Sequence, residues 1–127
     1  MSYIIDTHTF IWYFNGDNQL SKPALNVLDD KGKDKYLSIA SVWEIAIKVT
    51  IGKLELTYPF YTIEEKLGLN NISILPVKFE HTNQLISLQL YHRDPFDRMI
   101  IAQSITEDLT IISKDKNFSL YPIKLLW

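Results

Sequence analysis

Asp94 and Asp97, in the stretch HRDPFDRMIIAQ, stand at the mouth of an almost unbroken apolar run. Three further acids, Asp6, Glu44 and Asp115, follow or open other strand-like and helix-like segments. A carboxylate buried alone among Phe96, Met99, Ile100 and Ile101 is costly unless it is paired or bound to a metal. Carboxylates brought together also raise one another's pKa and cannot all stay ionised unaided. A hard divalent cation relieves both difficulties, and an all-oxygen donor set favours Mg2+ or Mn2+ over zinc. The chain has no cysteine and only three scattered histidines, which excludes disulfides and thiolate sites and leaves no zinc spacing.

Such acids matter only if the fold gathers them. SYIID reads as a buried strand stopped by Asp6, and THTFIWYF as the helix after it, broken by NGDN. SKPALNVLDDKG is a helix with Ser21 as N-cap and Pro23 in its first turn, ended by Gly32. KYLSIA is a second strand, and SVWEIAIKVTIGK a helix closed by Gly52. LELTYPFYT is extended, and TIEEKLGLN is a helix opened by a Thr62–Glu65 capping box. ISILPV is a third strand. KFEHTNQLISLQLYH has helical period with Leu85, Leu88 and Ile86 facing inward. DPFDRMIIAQSITEDL is the last helix, and TIIS and IKLLW are the fourth and fifth strands. Strands alternating with helices predict an α/β fold with a parallel sheet covered on both faces. In such sheets ligands bind outside the carboxyl ends of the strands, which is where these acids fall.

Each acid also has a plain structural reading. Asp94 suits an N-cap with Pro95 at the first helical position. Asp97 falls where the helix dipole favours a carboxylate. Glu44 completes a capping box with Ser41 and has Lys48 as its i+4 partner. Asp6 can cap the first helix, and Asp115 can start a turn.

The ordered set resembles PIN-domain ribonucleases, and among them the VapC-type toxins of bacterial toxin–antitoxin pairs. The resemblance runs the length of the chain, through YIIDTHTFIW, SIASVWEIAIKVTIGKL, HRDPFDRMIIAQS and TIISKDKNF. It implies a three-layer α/β/α domain over residues 1–127 and metal-dependent hydrolysis of RNA. It implies catalytic and metal-ligating roles for Asp6, Glu44, Asp97 and Asp115, with Mg2+ (or Mn2+) as cofactor and Asp94 as a helix cap only. The family's small hydroxyl residues, one beside the first acid and one before the fourth, are matched by Thr7 and Ser113. The resemblance also implies a cognate antitoxin, a homodimer and a cytoplasmic setting.

Thr7, Lys48, Arg93, Arg98 and Ser113 are the candidate substrate contacts. Lys48, His92, Arg93, Arg98, Lys114 and Lys116 all fall near the acids in this layout. Each of these reads first as a solvated charge or as an ion pair that holds an acid in place. His8 and the aromatic run Phe10 to Phe14 are further candidates, the run reading first as core or partner-binding face. A net charge of −2 argues against nucleic-acid binding by overall basicity but allows a local basic rim. No apolar run approaches the roughly 20 residues that span a bilayer, and the N-terminus lacks the form of a signal peptide. Three other readings compete. A stand-alone RNA-processing nuclease would share the site. A phospho-accepting receiver domain needs an acidic pair after the first strand, where Asp6 stands alone. A non-catalytic binding module would have no use for the full acid set.

Overall fold

The computed structural model describes residues 1–127. Five parallel strands form one sheet: β1 (Ser2–Ile5), β2 (Asp34–Ser38), β3 (Ile72–Leu75), β4 (Thr110–Ile112) and β5 (Leu125–Leu126). They lie in the order β3-β2-β1-β4-β5. Six helices connect and cover them: α1 (Thr7–Asn15), α2 (Lys22–Asp29), α3 (Ile39–Thr50), α4 (Ile63–Leu69), α5 (Phe79–Ile86) and α6 (Pro95–Glu107). The α/β class and the parallel sheet expected from the sequence are what the chain forms.

Period-two alternation sends side chains to opposite faces of the sheet. Tyr3 and Ile5 of β1, Leu37 of β2 and Ile112 of β4 face one core, filled by Phe10, Phe14, Leu28, Ile45 and Leu67 from α1 to α4. Ile4 and Ile111 face the other, filled by Ile100 and Ile101 of α6 and by Phe118. β1 is therefore buried on both sides. Fully burying each such Ile or Phe side chain stabilises the fold by about 1.5–3 kcal/mol. Strand order reverses at β1: the chain goes first to β2 and β3 on one side, then to β4 and β5 on the other. This switch point, between the carboxyl ends of β1 and β4, is where an open α/β sheet forms its crevice.

Four local expectations are corrected. Helix α3 is capped by Ser38, whose hydroxyl accepts from the Ala40 amide, so β2 ends there and not at Ala40. Ser41 lies inside the helix and makes no capping box with Glu44. Thr62 does not cap α4, since its backbone is already helical and its hydroxyl donates to the Pro59 carbonyl. Ile86 is exposed, while Leu88 packs on the second core as expected. The Ser21 cap holds, with the Ala24 amide donating to its hydroxyl.

Candidate metal centre

Asp6 follows β1 directly. It caps α1 by accepting from the Thr9 amide through Oδ1 (2.8 Å) and accepts the Ser113 hydroxyl through Oδ2. Ser113, one residue beyond β4, also accepts the Asp115 amide (3.0 Å). One buried hydroxyl thus couples the loops at the ends of two neighbouring strands. Burial pushes the Asp6 carboxyl above its ordinary range, against the opposing hydrogen bonds from Ser113 and Thr9.

Asp94 is the N-cap of α6: its Oδ1 accepts the amides of Phe96 and Asp97. With Pro95 fixing the first turn, Asp97 is thrown inward from it. Burial, and then the negative charge of Asp94, push the Asp97 carboxyl up to about 7. Asp6 and Glu44 add to the rise, and His92 opposes it. Asp94 and Asp97, similar in sequence, therefore differ in work: one orders the helix, the other faces the acids.

Asp6, Asp97 and Asp115 line one cleft of about 280 Å3, together with His8, Trp12 and Lys114. His92 stands between two of the acids, with Nε2 2.9 Å from Asp115 Oδ2 and Nδ1 3.7 Å from Asp97 Oδ2. Glu44, from the second turn of α3, does not line the cleft, but its charge is felt at Asp97. Its Oε2 pairs with Lys48 Nζ at 2.9 Å, the expected i+4 contact. Its Oε1 is buried with no hydrogen-bond partner.

A divalent cation fits this donor set. An unpartnered buried carboxylate oxygen and a neighbouring acid driven to about 7 are costs that an oxygen-seeking cation would remove.

The candidate substrate contacts behave otherwise. Thr7 is buried and donates to Ser41, tying α1 to α3. Ser113 is consumed by Asp6 and Asp115. Lys48 is held by Glu44. Arg98 donates to the carbonyls of Leu85, Gln89 and His92. Arg93 is exposed, with no ion pair to any acid. None of these five lines the cleft. His8, Trp12 and Lys114 do, with Lys114 Nζ 5.9 Å from the Trp12 ring centre. Their signal was present in the sequence. His8 and Trp12 are four apart on α1 and share a face, while Phe10 and Phe14 share the buried one.

Residues 3–124 match the model of the PIN domain, and the chain belongs to the PIN-domain family. Its fold is similar to that of several solved complexes. One is VapBC2 from Rickettsia felis bound to a DNA fragment from its promoter, at TM-score 0.73 and 18% identity over 99% of this chain and 98% of that one. Another is DNA-bound VapBC from Salmonella typhimurium, at TM-score 0.73 and 13% identity over 99% and 97%. A third is a toxin–antitoxin complex from Klebsiella pneumoniae, at TM-score 0.66 and 16% identity over 99% and 97%. No curated protein sequence matches the chain significantly.

Proposed function

We propose that this protein is a Mg2+- or Mn2+-dependent endoribonuclease and the VapC-type toxin of a toxin–antitoxin pair. The observation that carries the reading is the convergence of Asp6, Asp97 and Asp115 on one cleft at the switch point of a PIN domain, with the half-orphaned Glu44 carboxylate behind them. Asp6, Glu44, Asp97 and Asp115 would hold the cation. When bound, it supplies a Lewis acid that activates water and neutralises charge on the scissile phosphate.

The protein's own groups account for the rest. Asp6 is immobilised by two hydrogen bonds and gives the cleft a fixed wall. Asp97 is set by the Asp94 cap, which accepts its amide, and brings a second carboxylate to the cleft. Lys114 and His8 give the phosphodiester backbone a positive and polar rim, and the Trp12 ring beside them offers a face to a base. An antitoxin partner is supported by the solved complexes that share the fold. A homodimer is supported by an apolar surface on which Trp43 and Phe96 meet edge to face beside Ile39, Leu85 and Met99. No helix is long and apolar enough to cross a membrane.

Purified protein should cut RNA in Mg2+ or Mn2+ and stop in chelator, and mapping the cut positions after induced expression would define its target. RNA left intact by the parent in both cations would overturn the reading.

A further inference from the structure

The His92 ring reaches the carboxylates of two of the cleft's acids, Asp115 and Asp97, yet it does not line the cleft. A carboxylate can only accept, so the 2.9 Å contact to Asp115 Oδ2 places the hydrogen on His92 Nε2. Nδ1 then faces Asp97 Oδ2 across 3.7 Å, too far for a hydrogen bond. The imidazole is thus a spacer between two carboxylates that come from different elements, α6 and the loop after β4.

The main chain around it is held unusually firmly for a loop. The His92 amide donates to the Tyr121 hydroxyl (2.8 Å), and that hydroxyl donates to the Gln89 carbonyl (2.6 Å). Arg98 gathers the carbonyls of Leu85, Gln89 and His92 from the other side. The His92 ring packs on buried Phe118, with ring centres 5.2 Å apart and planes at 30°. Tyr121 and Arg98 therefore fix the backbone, Phe118 fixes the ring, and the ring fixes Asp115.

We infer that His92 is the positioning residue of the cation site: by donating from Nε2 to Asp115 it sets the spacing of Asp115 from Asp97, so that cation affinity depends on a side chain that is not itself a ligand. The inference rests on the cation-site reading above. Partners that orient a metal ligand from behind typically carry about 10- to 100-fold in metal affinity. A residue that merely packs beneath the loop would affect folding and leave affinity alone.

The test is calorimetric titration of the full chain with Mn2+, alongside thermal melts in chelator. His92→Ala is expected to bind Mn2+ about 10- to 100-fold more weakly than the parent. His92→Gln, whose amide nitrogen reaches the place of Nε2, should recover most of the affinity. His92→Asn, whose amide ends near the place of Nδ1, should not. Parental affinity in His92→Ala, or a Gln variant no better than the Asn variant, overturns the inference. The Gln and Asn pair decides it even where the Ala variant fails to fold. Asp97→Asn separates the two readings. If it loses Mn2+ binding while His92→Ala keeps it, the cation site stands and only the role of His92 falls. If the parent itself binds no Mn2+, both fall.

Discussion

Helix α6 has a histidine–carboxylate cluster near each end. At its start are His92, Asp97 and Asp115; at its finish are Glu80, His81 and Glu107. By residue type both could hold a metal. At His81 both ring nitrogens are committed: Nδ1 accepts the Lys78 amide at 2.9 Å, and Nε2 donates to Glu107 at 3.0 Å. No lone pair remains for a cation, and the fully buried ring serves to start α5 and pin it to α6. At the other end Asp97 Oδ2 lies 3.7 Å from His92 Nδ1, too far for a hydrogen bond, and the Asp97 carboxyl is pushed up to about 7. A structural cluster satisfies its groups, and a working one leaves some of them unsatisfied.

The largest expected effect sets the two ends apart by activity. Asp97→Asn should reduce RNA cleavage to background while the fold survives, and Glu107→Gln should leave cleavage unchanged. Equal losses in an RNA cleavage assay would erase the distinction.

The second effect is on stability against pH without cation. Asp97 holds its proton in the folded state up to about 7, against 3.8 for the ordinary group. The folded form therefore binds more protons across that window. The stabilisation is complete below about pH 4 and is lost as pH rises towards 7. At about 1.4 kcal/mol for each pH unit, the loss is bounded at about 4 kcal/mol. Asp6, raised in the same direction, adds to the slope. Melts in chelator from pH 4 to 7 should show the parent falling and Asp97→Asn falling less. Excess Mg2+ should flatten the parent's curve. A parent whose stability rises through this window would contradict the buried-acid account.

The third compares the histidines. His81→Ala should cost on the order of 3 kcal/mol, from a cavity and two lost hydrogen bonds, with Mn2+ affinity unchanged. A loss of affinity comparable to that of His92→Ala would show that the two ends of α6 are coupled. The smallest effect concerns the cap. Asp94→Ala should cost about 1 kcal/mol and Asp94→Asn a few tenths, as measured by denaturant melts. Because the Asp94 charge helps raise Asp97, either change should also move the steep part of the pH profile to lower pH.

Much of this was legible in the chain. The short continuous apolar runs in SYIID and TIIS indicated buried strands of a sheet covered on both faces, and the Asp94–Pro95 pair marked the start of α6 correctly. The separation of Asp94 from Asp97 followed from counting one helical turn. The errors have local causes. Ser38 and Ser41 both precede apolar residues at helical spacing, and only the register of β2 against β1 and β3 decides which of them ends the strand. Arg98 lies one residue from Asp97, but its side chain points along the helix flank to loop carbonyls, which no spacing rule reveals. His92 was grouped with the basic residues of the rim. Its bridging position depends on a loop folded back by Tyr121, 29 residues further on.

The hydrogen bond from Ser113 to Asp6 joins residues 107 positions apart. β1 likewise meets β4 only after most of the chain has been made. Pairings this distant form late, because loop closure precedes their reward. The core under α1 to α4 likewise waits for Ile112 of β4 and for Leu126 and Trp127, and the wall of the cleft built from Ser113 and Asp115 is absent until β4 joins β1. The cleft is thus a product of the finished chain, since its lining joins Asp6 and His8 near the start to Lys114 and Asp115 near the end.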